Sequence, residues 1–242
     1  MNSADLKVMG IIGIRSGSKG VPDKNIRPLA DQPLVGWILD AARKSKYMNR
    51  VVVSTDSPNY AAVATSFGAD IPYLRPAELA TDESPEFEYV KHMVEWLDKH
   101  EGYRPDIVVR MMATVPLQKT EDIDAVIARL IEDPKADSAV VIAEARQHPM
   151  KALKIIDDGE GGKKLVTYFT DSGREVTPLA RQNYQRAYFR ANVIACRRRV
   201  IFDTNSLTGD LVRFHVIPQE RAVDIDNYID FYMTEHLIKK FS

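Results

Sequence analysis

The chain has 242 residues, of which 45% are hydrophobic and 28% are charged. A chain of this length buries enough surface to fold without disulfides or a structural metal, and it suggests one large domain. The 33 Lys and Arg residues nearly balance 34 Asp and Glu residues, so the formal net charge is −1. That balance argues against nonspecific nucleic-acid binding. Any affinity for anions must come from a local cluster of cations.

Features that would direct the chain out of the cytoplasm are missing from the sequence. The single cysteine, Cys196, cannot form an internal disulfide, which fits a reducing compartment. The segment from Met1 to Lys7 lacks the apolar core of a signal peptide. No apolar run reaches the ~18 residues of a membrane span. We expect a cytoplasmic protein with no membrane or nucleic-acid partner.

Short apolar runs alternate with helical periodicity along most of the chain. The runs from Val8 to Ile14 and from Val51 to Ser54 are typical of strands that are covered on both faces. A helical pattern lies between them, and another covers Ser57 to Phe67. This alternation builds a parallel sheet with right-handed crossovers, so the predicted fold class is α/β. Further strands are predicted at 107–112, 138–143, 188–195 and 214–217. Further helices are predicted after Ser84 and Thr120, which would act as N-caps, and from Asn227.

The alternation breaks between about Lys151 and Gln185. A glycine-rich stretch precedes a strand-like segment, Lys164 to Phe169, and a polar loop follows. An excursion between two sheet strands is typical of a lid or a dimerisation arm. We therefore predict a single domain over residues 1–242 with a small inserted arm at 151–187.

A basic, glycine-containing segment, Arg15 to Asn25, directly follows the first predicted strand. It therefore lies at the carboxyl end of the sheet, where open α/β folds bind ligands. Its glycines let backbone amides approach an anion closely. Four cations against one acid between Arg15 and Arg27 give a local charge of +3. The spacing fits neither a P-loop nor a dinucleotide fingerprint. The segment predicts a polyphosphate site, and the alternative is a solvated basic loop.

A pair of acids near the C-terminus, Asp224 and Asp226, flanks Ile225. In a strand, residues i and i+2 point to the same face, so the two carboxylates would meet there. They would repel each other unless a cation lies between them, and their oxygens suit magnesium. The alternative is an acidic turn in which Asp226 caps the following helix. A phosphate loop together with a carboxylate pair is what nucleotidyl transfer needs.

The chain resembles the acylneuraminate cytidylyltransferases, or CMP-sialic acid synthetases, along nearly its whole length. The stretches that carry the resemblance are Arg15 to Asn25, Ser54 to Asp56, Arg75 to Asp82, His148 to Lys151, Phe189 to Asn192 and Asp224 to Asp226. The resemblance implies a Rossmann-like, mostly parallel sheet of the nucleotide-diphospho-sugar transferase type. It also implies CTP as substrate, Mg²⁺ as cofactor, and a homodimer formed through the inserted arm.

The implied reaction joins CTP to an acidic nine-carbon sugar, a nonulosonic acid. The anomeric hydroxyl of this 2-keto-3-deoxy sugar acid attacks the α-phosphorus of CTP, and pyrophosphate leaves. The protein has to position the two reactants and neutralise developing charge. No side chain in the sequence declares itself a general base, and that role stays open.

The resemblance also implies roles for individual residues by position. The nucleotide-binding positions are Arg15, Ser18, Lys19, Lys24, Asn25, Arg75, Ala80 and Thr81. The catalytic positions are Lys19 and Lys24, which would stabilise the departing pyrophosphate, and Asp224 and Asp226, which would hold the magnesium. The sugar-binding positions are Met112, Thr114, Lys151, Arg181, Gln182 and Asn192.

The chain departs from the family after its middle strand. Members usually carry Gln-Pro-Thr-Ser-Pro-Leu-Arg, whereas this chain has Met112 at the first of these positions and Gln118 at the last. A methionine cannot donate a hydrogen bond, so the polar group that a glutamine would meet is absent or satisfied elsewhere. Our hypothesis is that the acceptor is not ordinary N-acetylneuraminic acid. Pseudaminic, legionaminic or another modified nonulosonic acid fits better.

Three other functions are left open by the sequence. The protein could be another nucleotidyltransferase, a glycosyltransferase that uses a nucleotide sugar, or a nucleotide-binding relative without turnover. Glycosyltransferases usually place their acidic pair after a mid-chain strand, whereas Asp226 lies 16 residues from the end of this chain. The changes at Met112 and Gln118 are of the kind expected in a relative that has lost catalytic activity. The intact basic loop and the presence of both aspartates argue against such a loss of activity.

Overall fold

The computed structural model describes residues 6–169 and 184–241. These residues group into two compact units, one within Met1–Ile142 and Arg190–Ser242 and the other within Ala143–Phe189. The described part of the chain contains no helix that is long and apolar enough to cross a membrane. The larger unit has a mostly parallel sheet flanked by helices, which confirms the predicted α/β class.

The central sheet has six strands. They are β1 (Val8–Gly13), β4 (Arg50–Ser54), β5 (Ile107–Met111), β6 (Ser138–Glu144), β9 (Tyr188–Arg197) and β10 (Val212–Ile217), in the spatial order β10-β6-β9-β5-β1-β4. Strand β1 pairs in parallel with β4 and β5, and β5 pairs antiparallel with β9. The antiparallel β9 therefore lies in the middle of the sheet, between β6 and β5. A two-stranded ribbon, β2 (Pro28–Leu29) with β3 (Gln32–Pro33), precedes the first helix.

The helices of the larger unit cover the sheet with apolar stripes. They are α1 (Leu34–Arg43), α2 (Pro58–Ser66), α3 (Glu86–Glu101), α4 (Thr120–Glu132), α5 (Arg198–Thr204) and α6 (Tyr228–Phe241). On α3, Val90, Val94 and Leu97 are fully buried in one cluster with Ile11 of β1 and Val108 of β5. Each such side chain contributes about 1.5–3 kcal/mol on burial, so this face fixes α3 over the sheet.

Helix starts differ from the predictions at two places because other groups take the capping hydroxyls. Ser84 does not cap α3, since Pro85 occupies that position and the Ser84 hydroxyl donates to the carbonyl of Glu78 at 2.9 Å. Thr120 is already inside α4, and its hydroxyl donates to the carbonyl of Ala41 at 2.9 Å. The prediction missed α5, the short ribbon of β2 and β3, and also β7 (Leu153–Asp157).

The smaller unit contains an antiparallel hairpin of β7 and β8 (Lys163–Thr167). The segment predicted as a strand corresponds to β8. Val166 is buried within this unit, whereas Leu153, Ile155 and Leu165 are exposed. Because Ile155 pairs with Leu165 and Leu153 with Thr167, these apolar side chains share one face of the hairpin.

Candidate active site

A pocket of about 380 Å³ opens where β1 and β5 end. Gly13, the last residue of β1, and Met112, which follows β5, both line it. The carboxyl ends of parallel strands are where open α/β sheets bind ligands. The predicted site residues that line this pocket are Arg15, Ser18, Lys19, Lys24, Asn25, Arg75, Thr81, Met112, Thr114 and Asp226.

The other predicted site residues lie elsewhere. Ala80 is half-buried and is not part of the pocket wall. Asp224, two residues before Asp226 in the chain, accepts a hydrogen bond from the side-chain amide of Asn192. Lys151 belongs to the smaller unit, where it ends a 3-10 turn, Pro149–Lys151. Arg181 and Gln182 lie outside the described residues.

The basic loop after β1 is anchored by groups from the β4–α2 region. The backbone N–H and the hydroxyl of Ser16 both donate to the carboxylate of Asp56, at 2.8 and 2.5 Å. Burial alone would raise the pKa of Asp56, but the bonds from Ser16 outweigh it and lower the pKa. The Tyr60 hydroxyl donates to Asp23 at 2.9 Å near the other end of the loop. Gly17 has φ 74°, a left-handed conformation that glycine adopts without strain.

The far end of the loop contacts the segment that carries the two aspartates. Lys24 Nζ donates to the carbonyl of Ile225 at 2.5 Å and lies 3.6 Å from a carboxylate oxygen of Asp226. A side chain at Gly20 would collide with the backbone carbonyl oxygen of Asp226. Gly20 is therefore required for this close approach. The fold brings together the cations and the carboxylates that the sequence places about 200 residues apart.

Asp82 is a pocket residue to which the sequence assigned no role. It forms ion pairs with Lys19 and with Arg15, the latter at 2.5 Å between Nη2 and Oδ1. These two partners lower the pKa of the Asp82 carboxyl, Lys19 more strongly than Arg15. The available signal in the sequence was that Asp82 ends the Arg75 to Asp82 stretch, which carries the family resemblance. The contact of Asp82 with Arg15, 67 residues away, is visible only in the tertiary structure.

Arg75 is buried at the base of the pocket, against the ring of Tyr89. Its Nε donates to the Ser54 hydroxyl at 2.9 Å and its Nη2 to the Ser54 carbonyl at 2.5 Å. The guanidinium lies 4.2 Å from the centre of the Tyr89 ring, a cation–π contact. Burial lowers the pKa of Arg75 and raises the pKa of Tyr89 to about 12. Gly13 packs so closely on both side chains that a methyl group there would clash.

The two aspartates do not lie in a strand, which corrects the interpretation from the sequence. Residues 222–225 are outside the sheet, and the N–H of Ile225 donates to the carbonyl of Thr114 at 2.9 Å. Ile225 is buried, whereas the Asp226 side chain is 78% exposed. Asp226 also does not cap α6, because the side chain of Asn227 accepts from the N–H groups of the first helical turn.

The electrostatics of Asp224 are unusual for a carboxylate. Burial raises its pKa, and the nearby Asp226 carboxylate raises it further. The nearby Thr114 hydroxyl, Lys24 and the Asn192 amide oppose this shift without cancelling it. Of the Thr114 hydroxyl and the Asn192 amide, only the amide makes a hydrogen bond to Asp224 with good geometry, because the Thr114 oxygen has no hydrogen-bond partner among the described residues. The Oδ1 of Asp224 is buried and has no hydrogen-bond partner among the described residues. The protein's own groups therefore do not fully offset the cost of burying the charged Asp224 carboxylate.

These features suit a divalent cation with oxygen ligands. Within residues 6–169 and 184–241, no three His, Cys, Asp or Glu side chains are grouped as a complete metal site. Magnesium does not require one, because it commonly takes one or two carboxylates together with water and substrate phosphates. The unsatisfied buried oxygen of Asp224 and the exposed carboxylate of Asp226 fit that pattern.

The cytidylyltransferase family model matches residues 9–206 of this chain. The chain belongs to the cytidylyltransferase family. N-acylneuraminate cytidylyltransferase of Escherichia coli O18:K1:H7 is 29% identical, over 93% of this chain and 50% of that protein. CMP-N,N'-diacetyllegionaminic acid synthase of Legionella pneumophila is 27% identical, and post-translational flagellin modification protein B of Campylobacter coli is 26% identical. These relatives confirm the predicted resemblance.

The chain spans about half of the E. coli relative but 97% and 96% of the Legionella and Campylobacter proteins. A solved structure of CMP:2-keto-3-deoxy-manno-octonic acid synthetase complexed with CTP superposes with a TM-score of 0.70 at 16% identity, covering 98% of this chain and all of that one. The 4-diphosphocytidyl-2C-methyl-D-erythritol synthase of Anaerococcus prevotii gives 0.63 at 13% identity, covering 97% and 96%. Both likenesses bear on the fold, and they confirm the predicted sheet type. The family match ends before Asp224.

Proposed function

We propose that this protein transfers the cytidylyl group of CTP to the anomeric hydroxyl of a nonulosonic acid, giving a CMP-sugar and pyrophosphate. The observation that carries the proposal is one pocket that joins Lys19 and Lys24 to Asp226 in a member of the cytidylyltransferase family. The names of the relatives, which include acylneuraminate and legionaminic acid enzymes, support the acceptor class.

The loop cations would bind the triphosphate of CTP. Lys19 is exposed in the pocket, and Lys24 is fixed by its bond to the Ile225 carbonyl. In the reaction the sugar oxygen forms a bond to the α-phosphorus as the bond to the pyrophosphate oxygen breaks. Negative charge grows on the departing pyrophosphate, and pre-positioned lysines stabilise it without reorganisation. Arg15, Ser18, Asn25, Arg75 and Thr81 would complete the nucleotide site.

Asp224 and Asp226 would hold Mg²⁺, with Asn192 orienting Asp224 through its hydrogen bond. A bound Mg²⁺ screens the charge of the triphosphate. The raised pKa of Asp224 supports this assignment, because a cation would compensate the buried charge that the protein leaves unpaired.

Met112 and Thr114 line the pocket and would contact the sugar acid. The thioether at Met112 cannot donate a hydrogen bond, which favours a modified nonulosonic acid over N-acetylneuraminic acid. The name of the legionaminic acid relative is consistent with such an acceptor. Lys151, Arg181, Gln182 and Asn192 are further candidates for contacts with the acidic sugar.

We also propose a homodimer in which the smaller unit is the dimerisation arm. Its hairpin exposes Leu153, Ile155 and Leu165 on one face, where a second copy could cover them. A cytoplasmic location is part of the same proposal. The buried, unpaired thiol of Cys196 is consistent with a reducing compartment.

The deciding experiment is pyrophosphate release with CTP, Mg²⁺ and a panel of nonulosonic acids. We expect release with at least one acid, and loss of release in the Asp224→Ala, Asp226→Ala double variant. Asp203→Ala, an exposed aspartate on α5, is the matched control and should release pyrophosphate like the wild type.

Binding of CTP by calorimetry separates the other functions. CTP binding without release across the panel would contradict the acceptor class and favour a binding protein without turnover. No CTP binding at all would contradict the role of the basic loop. Release with a sugar 1-phosphate instead would favour another nucleotidyltransferase.

A further inference from the structure

One wall of the pocket carries a carboxylate that has no role in the account above. Glu86 is the first residue of α3, and its side chain lines the pocket and is 43% exposed. One of its oxygens lies 3.1 Å from Nη2 of Arg110, whose side chain is only 4% exposed. Arg110 lies in β5, and its Nη1 donates to the carbonyl of Asn192 at 3.1 Å. A buried arginine therefore holds the carboxylate of Glu86 at the pocket.

Arg110 is costly to the fold. A guanidinium in the protein interior is unfavourable unless it is fully paired. Its Nε has no hydrogen-bond partner in the part of the chain that the structure describes. Neighbouring strand positions in the same core, such as Val108 and Ile194, are apolar. A buried charge with an unsatisfied donor needs a reason in a native protein, and holding the carboxylate of Glu86 at the pocket supplies one.

The chemistry of the pocket narrows what Glu86 can bind. A carboxylate accepts hydrogen bonds and repels anions, so it suits neither the triphosphate nor the sugar carboxylate. The cations that suit those groups, such as Lys19 and Lys24, come from the loop after β1. The neutral donors of the substrates are left for this wall, namely the hydroxyls of the sugars and the nucleobase, and of these only the nucleobase distinguishes CTP from UTP. Cytosine presents an amino group, a donor, where uracil presents a carbonyl oxygen.

We infer that Glu86, positioned by Arg110, accepts a hydrogen bond from the exocyclic amino group of cytosine and so selects CTP over UTP. The inference rests on the proposed function and adds a specificity-determining residue to it. With UTP, the carbonyl oxygen would face the fixed carboxylate and both acceptors would be left unpaired, which disfavours binding. Arg110 is a positioning residue, because it acts through Glu86.

The test is calorimetric binding of CTP and UTP, in Mg²⁺, to the wild type and to Glu86→Gln. An amide can turn its NH₂ group toward the uracil oxygen, so we expect the CTP/UTP affinity ratio to fall about tenfold or more. Glu83→Gln is the matched control, because Glu83 is exposed and outside the pocket wall. It should keep the wild-type ratio.

Arg110→Lys tests the positioning role. It keeps the charge but cannot bond Glu86 and the Asn192 carbonyl in the same fork geometry. We expect a lowered CTP/UTP ratio in a variant that still melts cooperatively, and Glu86→Asp should lower the ratio in the same direction. A purely structural role for the pair would weaken both nucleotides equally.

The outcomes separate this inference from the proposed function. CTP binding with an unchanged CTP/UTP ratio in Glu86→Gln would overturn the inference and leave the proposed function standing. A change in the CTP/2′-deoxy-CTP affinity ratio, with the CTP/UTP ratio unchanged, would also overturn it, because Glu86 would then bind the ribose. A wild type that binds no CTP would overturn both.

Discussion

The side-chain amide of Asn192 donates a hydrogen bond to the carboxylate of Asp224, with 2.6 Å between Nδ2 and Oδ2. Asn192 has φ 59°, a left-handed conformation that costs a residue with a side chain about 1 kcal/mol. The strained residue of β9 is therefore the one whose side chain bonds the carboxylate of Asp224. The bond occupies one oxygen of Asp224 and leaves the buried Oδ1 without a hydrogen-bond partner among the described residues.

Asp224→Asn should stabilise the metal-free protein at neutral pH while it lowers turnover by on the order of a hundredfold or more. Burial and Asp226 raise the pKa of Asp224, so the folded state holds this proton more tightly than the unfolded state does. The stability from this group is present below the unfolded pKa and is lost as pH rises through the folded pKa. Above the folded pKa the ionised wild type carries this penalty, which the amide removes.

Thermal melts of the wild type and of Asp224→Asn between pH 3 and 8 measure this stability difference. Asp203→Asn is the control for an exposed acid. The advantage of the variant should shrink as pH falls toward ~3.9, the usual pKa of an aspartate. Mg²⁺ should raise the melting temperature of the wild type but not that of Asp224→Asn. An equal response of both proteins to Mg²⁺ would argue against a metal ligand at Asp224.

Lys24→Met should lower kcat by on the order of a hundredfold, because the departing pyrophosphate loses a fixed cation. The methionine fills a similar volume, so the fold should persist. Steady-state pyrophosphate release measures the effect. Lys99→Met, an exposed site on α3, should behave like the wild type. Equal effects of the two variants would show that Lys24 acts only through net charge.

Gly20→Ala should separate the basic loop from the aspartate segment. The added methyl group meets the backbone carbonyl of Asp226, and neither partner is a flexible side chain. We expect about 1–3 kcal/mol of destabilisation and loss of CTP affinity. Urea unfolding and calorimetry measure the two effects.

Gly17→Ala is the comparison variant on the same loop. It has φ 74° and nothing within 4 Å of the added methyl group. It should therefore cost only the left-handed strain of about 1–2 kcal/mol. Its CTP affinity should stay closer to that of the wild type. The reverse order of CTP affinities would show that the approach to Asp226 is not needed for binding.

Ile155→Glu should dissociate the proposed dimer. Ile155 is 67% exposed and pairs across the hairpin with Leu165, so a charge there would be buried against the second copy. Sedimentation should give a dimer for the wild type and a monomer for the variant. Glu160→Lys, at the exposed hairpin turn, should stay dimeric. A wild-type monomer would refute the arm as a dimer contact.

Met112→Gln should raise kcat/KM for N-acetylneuraminic acid by about tenfold, because it restores a hydrogen-bond donor in the pocket. The KM for CTP should change little. Turnover of a small panel of nonulosonic acids measures the shift in preference. Unchanged turnover of N-acetylneuraminic acid would mean that Met112 does not decide the acceptor.

Local sequence patterns were enough to predict most elements of the larger unit. The strands at Val8–Gly13 and Arg50–Ser54 were predicted within a residue, because parallel strands buried on both faces are continuously apolar. The strand β7 was missed, since its exposed Leu153 and Ile155 and its charged neighbours do not give that pattern. Helix starts shifted where a hydroxyl found a tertiary partner, as Thr120 did with Ala41.

The sequence by itself determined the α/β class, the basic loop after the first strand and the family resemblance, because each depends on residues that are close together along the chain. Only the tertiary structure decided that Glu86, Arg110 and Asn192 form one network leading to Asp224. Those contacts depend on the strand order, which places β9 beside β5 although about 80 residues separate them. No local pattern encodes that neighbourhood, since it arises from packing the sheet as a whole.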